Sequence, residues 1–249
     1  LAVAFSGGVD STFLLKIAHD VLGDRTLAVT ARSSTYPEKE FNEATQFITD
    51  NGIPHEVIVS EELDIEGFSD NPPNRCYYCK RELFSKIVAL ARESGIRCVA
   101  DGSNVDDLDD YRPGMQAVAE QGIVSPLQEA KMTKQDIRIL SKEMNLPTWD
   151  KPALACLASR LPYGQKITRE KLSTIDQAEQ VLRAHGFKQV RVRHHGDLAR
   201  IEVAPEERTR FFDTGLMDHI YEEFKKLGFA YTALDLKGYR TGSMNEIIL

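Results

Sequence analysis

A short segment near the start of the chain has the residue types needed to hold a polyphosphate. Residues 6–11 read Ser-Gly-Gly-Val-Asp-Ser, follow the apolar run 1–5 and precede a helix-like stretch. Two glycines let a backbone approach an anion closely, and the N-terminus of the following helix carries partial positive charge. Ser6 and Ser11 add hydroxyl donors, whereas Asp10 would repel bare phosphate and is better suited to orient a magnesium ion or the loop itself. The pattern therefore predicts a nucleotide phosphate site, with an ordinary serine-capped turn as the alternative.

Three cysteines occur in contexts that suit a metal centre. Cys76 and Cys79 form a C-x-x-C near the start of a long helical stretch, and Cys156 lies in an irregular, proline-punctuated segment. Three thiolates can hold a 4Fe-4S cluster and leave one iron without a protein ligand, where an extra sulfide can bind. Three alternatives stay open: a disulfide between Cys76 and Cys79, a zinc site that lacks a convincing fourth ligand, and purely structural cysteines. Cys98 lies in the apolar run 96–100, and we expect it to be a small buried side chain rather than a ligand.

Arginines in the second half are candidates for binding an anionic substrate. Arg191 and Arg193 lie two positions apart on a predicted strand, so they should face the same side and suit a phosphate monoester. The alternative is a solvated pair on an ordinary strand. Arg160 follows Cys156 by a few positions and could stabilise an adenylylated intermediate or mixed-disulfide chemistry, with a salt bridge as the alternative.

Two further polar groups are expected to lie at the surface. His194 and His195 precede a predicted hairpin turn, and we interpret them as solvated. The acidic run is interpreted as a solvated loop or, alternatively, as a magnesium site near the nucleotide. It consists of Asp106, Asp107, Asp109 and Asp110.

The segments that must position these residues alternate between strands and helices in the first half of the chain. This order predicts an α/β fold with a parallel sheet covered by helices on both faces. From about residue 165 the pattern becomes that of a smaller α+β domain, in which residues 205–227 are predicted to be helical. We therefore predict a phosphate-loop domain at 1–150, an active-site linker at 151–164 and a substrate-binding domain at 165–249.

The composition is that of an ordinary globular protein. The chain has 249 residues, of which 42% are hydrophobic and 28% charged, and its formal net charge is −7. Negative charge argues against a large nucleic-acid interface, and no apolar run is long enough to span a membrane. Four cysteines are too few for a disulfide scaffold, so we expect a reducing, cytoplasmic setting. No signal peptide is visible, although the chain opens directly in an apolar run, which suggests that a preceding segment is absent from this sequence.

Residues 6–11 resemble the PP-loop of the ATP pyrophosphatases, which include GMP synthetase, NAD synthetase and tRNA-thiolating enzymes. In that family the loop holds the pyrophosphate of ATP while the substrate attacks the α-phosphate. Residues 101–104 (Asp-Gly-Ser-Asn) resemble a second family segment near the nucleotide. The resemblance implies ATP and Mg²⁺ as cofactors, an adenylylated intermediate and release of pyrophosphate. The residues that it assigns to the nucleotide site are Ser6, Gly7, Gly8, Asp10, Ser11 and Asp101.

Segments over nearly the whole chain resemble the ATP-dependent sacrificial sulfur transferase family, LarE. They are residues 110–114, 127–129, 151–164, 190–193, 200–202 and 239–245. The resemblance implies adenylylation of a carboxylate of pyridinium-3,5-biscarboxylic acid mononucleotide and its conversion to a thiocarboxylate, a step in making the nickel-pincer cofactor of lactate racemase. It also implies a small-molecule mononucleotide substrate, whose phosphate Arg191 and Arg193 would bind, and a homo-oligomer.

The C-x-x-C pair departs from the type member of that family, which lacks it and uses one cysteine as a sacrificial sulfur donor. It resembles instead family members and tRNA thiolases that carry a 4Fe-4S cluster. We therefore predict Cys76, Cys79 and Cys156 as cluster ligands, sulfide or another sulfur donor as co-substrate, and Cys156, Arg160 and Asp10 as catalytic residues. The alternatives are a sacrificial Cys156, a PP-loop tRNA thiolase, an amide-forming synthetase and a nucleotide-binding regulatory module without turnover.

Overall fold

The computed structural model of the protein describes residues 1–109, 113–153, 155–240 and 243. The strands in this part of the chain are β1 (Ala2–Ala4), β2 (Leu27–Arg32), β3 (His55–Val59), β4 (Val99–Ala100), β5 (Val190–His195), β6 (Leu198–Val203) and β7 (Tyr231–Leu234). The α-helices are α1 (Val9–Leu22), α2 (Glu38–Asp50), α3 (Arg75–Glu93), α4 (Pro113–Glu120), α5 (Pro126–Glu129), α6 (Lys134–Glu143), α7 (Arg169–Ala184) and α8 (Thr214–Lys226). Short 3₁₀ helices lie at Gly23–Arg25, Glu62–Asp64, Val105–Asp109, Leu157–Arg160 and Pro205–Phe212.

The chain forms two compact units. Unit 1 contains Leu1–Phe68 and Pro73–Leu154, and unit 2 contains Ser69–Pro72 and Ala155–Leu249. The predicted linker at 151–164 is thus divided between the units, while the functional domain boundaries given above remain a prediction. Among the described residues, no helix combines the length and hydrophobicity needed to cross a bilayer.

Unit 1 is built on a parallel sheet with the strand order β3-β2-β1-β4. Neighbouring β1 residues point to opposite faces: Ala2 packs with α3 residues, whereas Val3 packs with residues of α1, α2 and α6. Both faces are therefore covered by helices, and the apolar run at the start of the chain is buried because it forms a central strand. The predicted α/β fold with a parallel sheet is confirmed.

The fourth strand covers only the end of the apolar run 96–100, and this corrects the interpretation of Cys98. Only Val99 and Ala100 are in β4, and Cys98 is exposed rather than buried. The carbonyl of Cys98 accepts a hydrogen bond from the N–H of Ala2 (2.9 Å), so its backbone joins the sheet although its side chain lies outside the core. An apolar run does not reveal which of its residues lie beyond the end of the strand.

Unit 2 contains a sheet with the order β5-β6-β7, covered by α7 and α8. β5 and β6 are antiparallel and meet at a turn that contains Gly196, whose φ is 69°, whereas β6 and β7 are parallel. Val190 and Val192 of β5 face the core formed with both helices, so Arg191 and Arg193 share the opposite face. The second, smaller α+β sheet is also as predicted.

Candidate active site

The phosphate-binding segment connects the end of β1 to the start of α1. The Ser6 and Ser11 hydroxyl oxygens lie 3.1 Å apart, and Ser11 Oγ donates to the carbonyl of Gly8 (3.2 Å). Gly8 is the N-cap of α1, and no side-chain hydrogen bond from the described residues caps this helix. A backbone turn of this kind, at a helix N-terminus, suits a phosphate group.

Two glycines allow other segments to approach this turn closely. Gly7 has a φ of +64°, and a Cβ there would lie 2.8 Å from Ala44 Cβ in α2. A Cβ on Gly102 would lie 2.9 Å from the backbone nitrogen of Ser11. Residues 101–104 therefore pack directly on the first turn of α1, and this close backbone contact fits the expected nucleotide cradle. Gly102 was not among the predicted site residues, although it lies within a segment that resembled the family.

Asp10 is already engaged by side chains from distant parts of unit 1. Lys134 Nζ forms an ion pair with Asp10 Oδ2, and Asn104 Nδ2 donates to Asp10 Oδ1 (3.2 Å). The backbone N–H of Lys134 in turn donates to Asp106 Oδ2 (2.9 Å). Asp10 keeps 20% of its side-chain surface exposed, so both of its expected roles, orienting the loop and orienting magnesium, are compatible with this geometry. Sequence reasoning did not identify Lys134, because nothing in its local context indicates that it reaches residue 10.

Asp101 is buried and serves as an acceptor within its own segment. Its Oδ2 accepts from Ser103 Oγ (2.5 Å), and its Oδ1 accepts from Ser125 Oγ (2.7 Å). These bonds fix the turn that carries Gly102, so the geometry suits Asp101 to a structural role beside the loop of residues 6–11. Asp106 and Asp107 likewise bond backbone N–H groups, those of Lys134 and Asn104. Asp110 and the side chain of Asp109 lie outside the described residues.

Two loop carbonyls are held by side chains that were not predicted as site residues. Tyr36 Oη donates to the carbonyl of Ser6 (2.6 Å), and Lys151 Nζ donates to the carbonyl of Gly7 (3.3 Å). Lys151 also forms ion pairs with Glu40 (2.6 Å) and Glu43 (2.9 Å) of α2. Lys151 begins the segment 151–164 that resembled the sulfur transferase family, but the sequence gives no sign of its partner.

The C-x-x-C pair lies within the first two turns of α3 in unit 1. Cys76 is exposed, and Cys79 is half-buried with its Sγ 3.6 Å from Glu62 Oε1, to which it donates. Burial raises the pKa of Glu62 above its usual range. Thiolates one turn apart at a helix N-terminus are a suitable donor pair for a soft metal centre. Within the described ranges, no three His, Cys, Asp or Glu side chains are grouped as ligands of one metal ion.

Cys156 lies in unit 2 on a loop whose backbone is fixed by Arg160. Arg160 Nη1 donates to the carbonyls of Ala155 (2.7 Å) and Cys156 (3.0 Å). The same guanidinium forms a bidentate ion pair with Glu179 of α7, with distances of 2.8 Å at Nε and 3.0 Å at Nη2. Burial by itself would lower the pKa of Arg160, but the charge and hydrogen bonds of Glu179 outweigh burial, so the pKa is raised. Arg160 is only 2% exposed, so the geometry favours a role in positioning the Cys156 loop.

Arg191 and Arg193 share one face of β5 but have different surroundings. Arg193 Nη2 pairs with the buried Glu202 (2.7 Å), and its Nη1 donates to the carbonyl of Ser159 (3.0 Å). Arg191 lies over the Tyr239 ring (5.1 Å), and burial followed by the charge of Arg160 lowers its pKa to about 10. An anion near Arg191 would offset this cost. Both arginines are buried, so the alternative of a solvated pair is wrong.

Unit 2 also contains the two histidines before the hairpin turn and the segment 239–245. His194 and His195 are half-buried rather than solvated, because the His194 ring packs against Phe229 with centroids 5.3 Å apart. In the segment 239–245, Tyr239, Arg240 and Ser243 are described, and Ser243 Oγ accepts from Arg193 Nη2 (2.9 Å). The remaining residues of that segment, and Asp110, Tyr111 and Arg112 of segment 110–114, lie outside the described residues.

Comparison with known proteins identifies the family of this chain. No protein-family model matches the sequence. The chain is 44% identical over 246 residues to an uncharacterized protein of Synechocystis sp., covering 99% of this chain and 92% of that protein. A tRNA-specific 2-thiouridylase MnmA of Xanthobacter autotrophicus is 29% identical over 68% of this chain and 54% of that enzyme. The pyridinium-3,5-bisthiocarboxylic acid mononucleotide synthase of Lactiplantibacillus plantarum is 40% identical over 249 residues, which are 100% of this chain and 90% of the synthase. On the basis of that similarity and of the loop geometry, the chain belongs to the family of this synthase, the LarE family of ATP-dependent sulfur transferases.

Proposed function

We propose that this protein adenylylates a carboxylate of pyridinium-3,5-biscarboxylic acid mononucleotide and converts it to a thiocarboxylate for nickel-pincer cofactor synthesis. The observation that carries the proposal is the 40% identity with the Lactiplantibacillus plantarum synthase over the whole chain. The geometry of residues 6–11 supports the use of ATP by this chain.

The first half-reaction takes place at the loop between β1 and α1. A substrate carboxylate oxygen attacks the α-phosphorus of ATP, the bond to the bridging oxygen breaks, and pyrophosphate leaves. The N–H groups and hydroxyls of Ser6, Gly7, Gly8 and Ser11 would hold the departing pyrophosphate. Mg²⁺ supplies further neutralisation of phosphate charge, and Asp10 is the carboxylate placed to orient it or to hold Lys134.

The second half-reaction requires sulfur to attack the activated carbon and displace AMP. We propose that Cys156 presents or donates this sulfur, with Arg160 fixing the backbone of its loop. For the sulfur source, we propose that Cys76, Cys79 and Cys156 together hold a 4Fe-4S cluster. Such a cluster, when bound by three thiolates, supplies an iron that can carry an exchangeable sulfide. The thiolate pair on α3 supports this choice, and a sacrificial Cys156 remains the alternative.

A product assay tests the proposed function directly. With the dicarboxylic mononucleotide and Mg²⁺, we expect ATP labelled in the α-phosphate to give AMP and pyrophosphate, and the organic product to gain sulfur in place of oxygen. Formation of ADP and orthophosphate, or of an amide instead of a thiocarboxylate, would contradict the proposal. Omitting the mononucleotide provides the control for ATP cleavage without transfer.

A second prediction concerns which arginine binds the substrate phosphate. Arg191→Met should weaken binding of the mononucleotide about ten- to hundredfold, the loss expected for a charge-assisted hydrogen bond, and should leave ATP affinity unchanged. Arg193→Met is the matched comparison, since it separates a buried ion pair and should lose stability. Calorimetric titration of each variant with the mononucleotide and with ATP measures both affinities. Equal losses of the two affinities in Arg191→Met would mean that Arg191 has no selective role.

A further inference from the structure

We propose that Tyr36 and Lys151 are positioning residues of the ATP-binding loop, each holding one loop carbonyl so that the N–H group of the same peptide faces the nucleotide phosphates. This inference rests on the use of ATP in the proposed function. It does not depend on the substrate that accepts the adenylyl group or on the source of sulfur.

In a planar trans peptide, the C=O and N–H groups point to opposite sides. The carbonyl of Ser6 shares a peptide with the N–H of Gly7, and the carbonyl of Gly7 shares one with the N–H of Gly8. A donor that fixes either carbonyl therefore fixes the N–H group on the other side. Successive N–H groups held in this way form a concave anion site, and the positive φ of Gly7 gives the required turn.

Tyr36 is suited to hold the first carbonyl under all ordinary conditions. Its hydroxyl lies 2.6 Å from the carbonyl oxygen of Ser6. Burial and the nearby carboxylates of Glu40 and Glu43 raise the pKa of this phenol, so it stays protonated and remains a donor. Tyr36 lies just before α2, and a Cβ on Gly7 would lie 2.8 Å from Ala44 Cβ of that helix, so neighbouring parts of the chain restrain Ser6 and Gly7.

Lys151 holds the second carbonyl and also balances the charges of α2. Burial disfavours its ammonium charge, but hydrogen bonds and charges from Glu40 and Glu43 raise its pKa overall. The backbone of this segment is fixed by Arg138, which donates to the carbonyls of Trp149 and Lys151 at 2.7 Å each. Lys151 is therefore held at both its backbone and its side chain. The rival explanation is that Lys151 only neutralises the two glutamates, and the bond to Gly7 is incidental.

The test measures binding of the non-cleavable analogue α,β-methylene-ATP, with Mg²⁺, by calorimetry. We expect Tyr36→Phe and Lys151→Met each to raise the dissociation constant roughly three- to tenfold, the loss of one hydrogen bond. Lys151→Arg should restore most of the affinity. Lys39→Met is the matched control, because this exposed lysine also lies near Glu43 (3.7 Å), and it should bind like the wild type.

A double variant separates positioning from charge balance. Glu40→Gln combined with Lys151→Met removes a carboxylate together with its ammonium partner, so it should recover the melting temperature lost in Lys151→Met. The proposal requires that its affinity for the analogue stay low, since the Gly7 carbonyl is still released. Full recovery of affinity in the double variant, or unchanged affinity in Tyr36→Phe, would overturn the proposal. A wild-type protein that binds the analogue but forms no thiocarboxylate would instead contradict the proposed function alone.

Discussion

The Glu179→Gln variant is expected to lower the free energy of unfolding by about 3–5 kcal/mol, which is a large part of the stability of an ordinary domain. Glu179 is fully buried and accepts hydrogen bonds from Arg160 through both of its oxygens. Arg183 Nη2 (3.1 Å) and the backbone N–H of Val192 (3.1 Å) also donate to Glu179, and the charge of Arg191 lies nearby. Removing the Glu179 charge leaves the buried Arg160 guanidinium without its main counter-charge, although glutamine has nearly the same shape.

Urea denaturation followed by circular dichroism measures this loss. Glu170→Gln on the same helix is the matched control, because Glu170 is exposed, and it should change the unfolding free energy by less than about 0.5 kcal/mol. A loss below 1 kcal/mol in Glu179→Gln would show that Arg160 finds another partner. The result also bears on the reaction, since the guanidinium that Glu179 restrains is the one that bonds the carbonyls beside Cys156.

Local sequence patterns were sufficient to predict the fold of unit 1 and the position of its phosphate loop. Residues 6–11 contain two glycines and lie between a buried strand and the start of a helix. One short stretch of sequence therefore indicates both the phosphate-binding groups and the backbone turn that holds them. In the second half, two strand-like runs separated by Gly196-Asp197 predicted the β5–β6 hairpin. The two-residue spacing of Arg191 and Arg193 predicted that they share one face of a strand. These features depend on residues close together in the chain.

The parts that sequence reasoning missed depend on contacts between distant residues. Lys134 reaches Asp10, and Lys151 reaches Gly7, across more than a hundred positions. A lone lysine has the same appearance in a sequence whether it is solvated or paired, so no local signal distinguishes the two cases. The buried partner of Arg160 is Glu179, which lies on a helix whose other charged positions are exposed or half-buried. The helical pattern alone does not distinguish Glu179 from them.

One secondary-structure prediction was wrong for a local reason. Residues 205–227 were expected to be a single helix, but the structure has a 3₁₀ helix at Pro205–Phe212 followed by α8. Asp213 separates them, because its carboxylate accepts from the N–H groups of Gly215 (2.9 Å) and Leu216 (3.2 Å) and thereby caps a new helix. The capping signal was present in the sequence, within a segment whose hydrophobic pattern continued across it.

Replacing Cys156 with alanine is expected to abolish thiocarboxylate formation, by at least about a thousandfold, while AMP and pyrophosphate are still formed. The reason is that adenylylation uses the loop at the start of α1, whereas Cys156 is the cysteine whose loop Arg160 fixes in unit 2. Quantifying AMP and the thiocarboxylate in the same reaction separates the two steps. Cys98→Ala is the control, because Cys98 is exposed and has no assigned role. Retained thiocarboxylate formation in Cys156→Ala would remove this residue from the mechanism.

Cys76 and Cys79 decide between the two sources of sulfur. If the three cysteines share a cluster, Cys76→Ala and Cys79→Ala should each lose most of the iron and acid-labile sulfide found in the wild type after anaerobic preparation, and should lose multiple turnover.

If Cys156 is sacrificial, its thiolate attacks the activated carbon and AMP leaves. Loss of the Cys156 α-proton then breaks the Cβ–Sγ bond, which leaves dehydroalanine. Mass spectrometry would show Cys156 lighter by one hydrogen sulfide after a single turnover, with both α3 variants fully active. Cys76 and Cys79 lie three positions apart within the first two turns of α3, so both can reach one soft metal centre, and that is the physical reason to expect the first result.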